Sequence, residues 1–383
     1  MAEGSEDFGF GLYLHWPFCQ SKCPYCDFNS HVSGAVDHGK WAEAFEAEIA
    51  RAAARFPERI LNSVFFGGGT PSLMPVALVD RIMGAVRRAW PLANDIEITL
   101  EANPGSVETQ RFAGYRLAGV DRVSLGVQAL DDRDLRRLGR LHSVEDAMNA
   151  LEVCRSVFDR VSIDLIYARQ DQSVEAWRSE LSRALDFGLD HLSLYQLTIE
   201  NGTAFGDRFA AGGLRGLPDE TRSIDLWDVT QRMAETAGLP AYEVSNHARP
   251  GQESRHNTLY WEGGDYVGIG PGAHGRERLQ EVRYATESVR MPSAWLLAAL
   301  ERPDDVAEST RLTPNDELTE FLLMGLRVRD GVCLERLEKL DPTGSVDPTD
   351  LISAGLLEKG SGRLRCTSSG RPLLNAILGT LLS

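Results

Sequence analysis

Three cysteines fall within eight residues near the start of the chain, Cys19, Cys23 and Cys26, in a C-x3-C-x2-C spacing. Three soft thiolates on one short loop can take three corners of a cubane iron–sulfur cluster, which leaves the fourth iron without a protein ligand and open to a substrate. Structural zinc is the competing chemistry, with His15 or His31 as a fourth ligand. Such zinc sites close on four ligands, however, and this spacing with Tyr25 just before the third cysteine is unusual for them. Cys154, Cys333 and Cys366 are scattered and read as buried apolar thiols, so a cluster loop fits this chain better than a disulfide framework.

A second set of chemical residues follows extended runs. Gly67-Gly68-Gly69-Thr70-Pro71-Ser72 lets backbone N–H and C=O groups approach a ligand with no Cβ in the way. Glu101 in LEANP, Gln128 in LGVQ and Asp164 in SIDLIY lie at or just beyond the ends of such runs, and Arg140 stands in RLGRLH. Taken singly, a polar residue there is usually a cap or a surface group.

The elements that must position these residues alternate between two periods. Leu12–Trp16, residues 63–66, Ile96–Leu100, Val123–Val127, Val161–Ile166 and Leu192–Leu197 read as six strands. Helical periodicity fills the intervals: Trp41, Phe45 and Ile49 share one face, and further helices are expected near 75–90, 106–118, 131–158 and 174–187. Strands followed by helices imply right-handed crossovers and a parallel sheet, as a partial or full barrel with its chemistry at the strand C-terminal ends. Glu101, Gln128 and Asp164 would then face one cavity. Beyond residue 200 a Gly-rich stretch at 202–216 leads to a helix around 219–237, then to a loop region holding Gly263-Gly264 and Gly268–Gly272. Past residue 290 the chain looks mainly helical, with a small hairpin over Leu356–Cys366. The domain expectation is 1–200 for the core with the cluster loop, 201–290 for a completing region, and 291–383 for a helical C-terminal domain.

The formal net charge of −16 opposes approach to a polyanion, which excludes nucleic acid as a main partner. The first nine residues, MAEGSEDFG, do not read as a signal peptide, and no apolar run is long enough for a membrane span. A cytoplasmic protein is the expectation.

The cysteine spacing, the aromatic at Tyr25 and the glycine run after the second strand together resemble the radical S-adenosylmethionine (SAM) superfamily. That resemblance implies a partial (β/α)6-type barrel, a [4Fe–4S] cluster on Cys19, Cys23 and Cys26, and SAM chelated to the open iron through its amino and carboxylate groups. Glu or Asp would hold the ribose hydroxyls, and Arg140 would pair with the SAM carboxylate.

From Tyr13 to about Gly275 the chain is similar to the subfamily that holds oxygen-independent coproporphyrinogen III dehydrogenases and HemW-type haem chaperones. The resemblance implies SAM contacts at Tyr13, Gly68, Gly69, Thr70, Glu101, Gln128, Arg140 and Asp164, with Thr198 and Ala273 at weaker positions. One departure is Ala168-Arg169-Gln170, where the family often has Gly-Leu-Pro. The dehydrogenase branch usually carries a further cysteine where Phe28 stands, and a long N-terminal extension where only eighteen residues precede Cys19. Arg255-His256-Asn257-Thr258-Leu259-Tyr260-Trp261 matches the H-N-x-x-Y-W haem signature of the chaperone branch, which implies His256 as axial ligand beside Asn257, Tyr260 and Trp261. A packed strand or loop is the alternative for that segment, and His247 and His274 are alternative haem ligands. The implied function is a chaperone that binds a cluster, SAM and haem and passes haem to respiratory haem proteins, some met at the membrane surface. The rival is oxidative decarboxylation of coproporphyrinogen III through a 5′-deoxyadenosyl radical. A radical SAM enzyme with another substrate is a third reading.

Overall fold

Side-chain alternation along the strands sorts residues into two environments, and that sorting builds the fold. In the computed structural model, which describes residues 8–382, β1 (Phe10–Trp16) buries Leu12 and Leu14 in the main hydrophobic core and turns Tyr13 and His15 the other way. The acidic residues 1–7, on which the leader-peptide reading partly rests, lie outside the described residues. The same division runs through β2 (Leu61–Gly68), β3 (Leu92–Ala102), β4 (Arg122–Gln128), β5 (Arg160–Tyr167) and β6 (His191–Gln196). Val64, Leu100, Val123, Ile163 and Leu192 join the core, while Ser63, Glu101, Arg122, Asp164 and Ser193 take the opposite side.

Successive strands pair in parallel, and each crossover contains a helix: α1 (His38–Arg55), α2 (Val76–Ala89), α3 (Thr109–Ala118), α4 (Val144–Val157) and α5 (Val174–Leu185). Trp41, Phe45 and Ile49 are buried together on α1. After β6 come α6 (Glu220–Thr236), the short antiparallel β7 (Asn246–Ala248), and α7 (Arg255–Trp261). The chain then returns as β8 (Asp265–Ile269), parallel to β1, and continues through the antiparallel strands β9 (His274–Leu279), β10 (Val282–Ser288) and β11 (Ala307–Arg311). The sheet order is β11-β10-β9-β8-β1-β2-β3-β4-β5-β6-β7. Its two edges do not pair with each other, so the α/β unit is a partial barrel.

Several local expectations are corrected. The 263–272 region contains β8, because Tyr266 and Val267 alternate around the glycines well enough to extend the sheet beyond β1. The helices expected over 131–158 are Asp132–Arg137 and α4, parted where Gly139 takes a left-handed φ of 69° and Ser143 with Asp146 forms the capping box that starts α4. A short helix, Ala204–Ala210, sits within the 202–216 stretch. The HNTLYW segment is helix α7, N-capped by the Ser254 hydroxyl, and neither a strand nor a loop.

A second hydrophobic core forms from Leu318 onward, where Phe321, Leu322, Val332, Leu364, Ile377 and Leu378 meet. This mainly helical unit includes the expected hairpin, Leu357–Gly360 with Arg363–Cys366. It docks on the barrel through Arg276 with Glu320, and through Arg371, which donates to the Glu243 carbonyl at 2.7 Å. Cys154 and Cys366 are buried, whereas Cys333, expected to be buried with them, is only partly so, and burial pushes the Cys154 thiol up to about 12. Among the described residues no helix is long and apolar enough to cross a membrane.

Candidate functional site

The strand C-terminal ends open onto a cavity of about 580 Å³. Cys19, Cys23 and Cys26 line it from the loop after β1, and each thiol has a polar neighbour. Thr70 Oγ1 donates to Cys19 Sγ at 3.4 Å, Arg140 Nη1 donates to Cys23 Sγ at 3.4 Å, and Ser30 Oγ lies 3.9 Å from Cys26 Sγ. Burial raises the Cys19 and Cys26 thiols above their ordinary value, so metal must displace protons to bind there. Among the described residues no set of three or more Cys, His, Asp or Glu side chains converges tightly enough for a single ion. Cys19, Cys23 and Cys26 come from one short loop and all line the cavity, an arrangement in which they could take three separate corners of a cubane.

The glycine run lies at the end of β2. Gly68 adopts φ 108°, a conformation that side chains resist, and its N–H donates to Glu101 Oε2 at 3.2 Å. At Gly69 a Cβ would come within 2.8 Å of the Phe18 backbone, so the glycine brings the run against the cluster loop. Glu101 stands across from Asp164, which accepts from Ser124 Oγ at 2.9 Å. Burial, with the Asp164 charge beside it, pushes the Glu101 carboxyl up to about 8. Burial also raises Asp164, against the pull of the Ser193 and Ser124 hydroxyls and of Arg122 and Arg140.

Arg140 reaches the same cavity by a different route, from the segment after the Asp132–Arg137 helix. Its Nη2 donates to the Gly126 carbonyl at 3.0 Å, and its Nε is buried without a partner. A planar guanidinium fixed at one edge, with a donor unpaired, is suited to a carboxylate.

Cys19, Cys23, Cys26, Gly68, Gly69, Thr70, Glu101, Gln128, Arg140, Asp164 and Thr198 all line this one cavity. Tyr13 and Ala273 do not. Tyr13 is behind the lining, its hydroxyl 3.0 Å from His15 Nδ1, and Ala273 is buried in the turn between β8 and β9. Phe28 is exposed at the rim. Sequence reasoning missed Tyr195, which also lines the cavity. The alternation His191, Ser193, Tyr195 along β6 was the available signal.

The H-N-x-x-Y-W residues lie elsewhere, at the N-terminal ends of the strands. His256 is 5% exposed, and its Nδ1 is 2.9 Å from Ser63 Oγ. Burial lowers its pKa to about 4. Asn257 Nδ2 donates to the Tyr242 hydroxyl at 3.4 Å, and the Tyr260 and Trp261 rings pack on each other. Helix α7 thus forms a floor under the barrel, and haem iron would reach His256 only if α7 moved. His247 is fully buried with both ring nitrogens unpartnered, and His274 is exposed beside Glu287.

Comparison with known proteins identifies the family. Residues 13–179 match the radical SAM superfamily, and residues 312–373 match the HemN C-terminal domain. The chain is 38% identical to the mouse mitochondrial radical S-adenosyl methionine domain-containing protein 1, over 97% of this chain and 87% of that protein. It is 36% identical to the heme chaperone HemW of Escherichia coli, over 97% and 98% of the two chains. Among solved structures, coproporphyrinogen III oxidase (HemN) from E. coli superposes with a TM-score of 0.82 at 22% identity, covering 98% of this chain and 90% of that one; this likeness concerns the fold.

Proposed function

This chain belongs to the HemW-like family within the radical SAM superfamily, and from that premise we propose that it is a haem chaperone that binds a [4Fe–4S] cluster, SAM and haem. The observation that carries the reading is the convergence of three thiols, the Gly68–Thr70 cradle, two facing carboxylates and a half-paired arginine on one cavity.

Cys19, Cys23 and Cys26 would hold three irons. When bound, the cluster and SAM together supply one-electron chemistry at the sulfonium. The chain's own residues do the positioning. Gly68 and Gly69 bring the backbone close enough for an amino group, Asp164 and Glu101 offer acceptors to ribose hydroxyls, and Arg140 presents its guanidinium to a carboxylate. Haem would be held on α7 by His256, with Asn257, Tyr260 and Trp261 beside it. That assignment requires α7 to leave the floor, since His256 is sealed in the closed arrangement. The haem would pass to respiratory haem proteins, met in the cytoplasm or at a membrane surface.

Phe28, at the rim where the dehydrogenase branch has a further cysteine, favours the chaperone over the decarboxylase. One experiment separates them: anaerobically reconstituted protein is incubated with coproporphyrinogen III, SAM and reductant, and haem is titrated in parallel. Haem binding without protoporphyrinogen formation is the expected result. Decarboxylation would overturn the chaperone reading even if haem also bound.

A further inference from the structure

We infer that His256 is a positioning residue for the cluster end of the barrel, acting from the floor through Tyr13 and His15. The inference rests on the reading that the cavity at the strand ends holds the cluster and SAM.

His256 is fixed on several sides. Its ring stacks at 25° on Phe65 and on Tyr13, with centroids 5.0 and 6.3 Å away. Its Nδ1 meets Ser63 Oγ, and its backbone N–H donates to Glu97 Oε1 at 3.2 Å. Glu97 is itself immobilised: it pairs with Arg160 at 2.7 Å and accepts from Ser254 Oγ and the Arg255 N–H. The imidazole therefore forms one wall of the slot that holds Tyr13. Gly67 helps form the opposite wall, since a Cβ there would lie 2.8 Å from Tyr13 Cε2.

Tyr13 passes this constraint upward. His15 Nε2 lies 2.9 Å from the Asn29 carbonyl, which can only accept, so the His15 proton is on Nε2 and its Nδ1 accepts from the Tyr13 hydroxyl at 3.0 Å. Asn29 lies three residues after Cys26, and its side chain donates to the Pro271 and Arg290 carbonyls. The His15 ring also lies against Gly68, where a Cβ would come within 2.6 Å of His15 Cε1. A series of contacts, His256 to Tyr13 to His15, with Phe65 stacked on both His256 and Tyr13, therefore ends on both the cluster loop and the glycine cradle.

A double-mutant cycle tests the brace. Cluster content, SAM affinity and the EPR spectrum of the reduced, SAM-bound cluster are measured for wild type, His256→Asn, His256→Phe, Tyr13→Phe and the two double variants, with Ser63→Ala as a milder change should His256→Asn fold poorly. His256→Asn can keep a partner for Ser63 but loses the ring, so SAM affinity should fall about fivefold or more with an altered EPR spectrum and an unchanged iron content. His256→Phe keeps the wall and should lose about twofold. In the Tyr13→Phe background, where the link to His15 is already cut, each His256 change should add less than about twofold. Wild-type affinity and spectrum in the His256 variants, or effects that multiply with Tyr13→Phe, would overturn the inference. If wild type takes up a cluster yet binds no SAM, the reading of the cavity fails and the brace falls with it. A haem titration of the same variants reports separately on ligation.

Discussion

At the mouth of the barrel the strand ends present Gly68, Glu101, Gln128 and Asp164 to an open cavity, whereas lower on the same strands Ser63, Glu97 and Arg122 are sealed beneath α7. Both regions are lined with polar side chains from the inward positions of one alternation. They differ in how those side chains are satisfied. On the floor Glu97 collects Arg160, the Ser254 hydroxyl and two backbone N–H groups, and Arg122 donates to Ser162 and Thr99, while His191 Nδ1, both His247 ring nitrogens and Trp261 Nε1 are sealed without partners. At the mouth too the pairing is incomplete. Arg140 keeps a buried donor unpaired, and burial, with the Asp164 charge beside it, raises the Glu101 carboxyl to about 8. What sets the mouth apart is that its unpaired donor and its two carboxylates line an open cavity, where a ligand can reach and complete them.

The largest break in this contrast comes from the thiols. Replacing Cys19, Cys23 or Cys26 with Ser should abolish the reconstituted cluster outright, because a hard alkoxide substitutes poorly for a soft thiolate. Cys154→Ser, Cys333→Ser and Cys366→Ser should leave it in place. Iron and sulfide analysis checks both, and a Cys19→Ser protein with wild-type iron would remove these thiols from the site.

Next in size are the polar residues at the mouth. Asp164→Ala and Arg140→Ala should each weaken SAM binding by about one to two decades, the equivalent of a lost charged hydrogen bond of about 1.5–3 kcal/mol, with the cluster spectrum retained. Titrations matching wild type in both variants would place SAM elsewhere.

A smaller effect concerns pH. Burial keeps a proton on Glu101 below about pH 8, and a cationic ligand favours the carboxylate, so binding should release that proton. SAM affinity should therefore rise with pH up to about 8, by at most about tenfold per unit, and level off above it. Glu101→Gln should flatten the profile. An affinity that falls as pH rises through this window would contradict the proton assignment.

Much of this contrast was legible in the sequence. Most of the six strands from Leu12–Trp16 to Leu192–Leu197 alternate, the Cys19 loop follows β1, and Gly68, Glu101 and Asp164 lie toward the C-terminal ends of their strands. What could not be read was how the chain closes the floor. His256 and Tyr260 have ordinary helical spacing, and nothing local shows that Ser63 and Glu97, far away in sequence, would bind that helix. Tertiary contact decided it. Ala168 offers a related lesson: it takes a left-handed φ of 59°, which its side chain gave no sign of in the sequence.

The smallest expected effect tests the floor. Burial lowers His256 to about 4, against the opposing pull of Glu97, so the native chain resists the proton that the unfolded chain accepts near 6.5. Stability contributed by the neutral ring is present above about pH 6.5 and is lost as pH falls toward 4. His142 and His247 share this depression to about 4, so His256→Phe should lessen the acid sensitivity without removing it. Denaturant midpoints at pH 7 and pH 5 report the change, and an unaltered difference between them would mean that His256 is not held neutral.

The most direct test of the account is the EPR spectrum of the reduced, reconstituted wild-type protein with and without SAM. An iron left open by three cysteines next to the Gly68–Thr70 cradle should give a [4Fe–4S]+ signal whose g-values shift when SAM is added. A cluster whose spectrum is indifferent to saturating SAM, or a protein that retains zinc and no cluster, would contradict it.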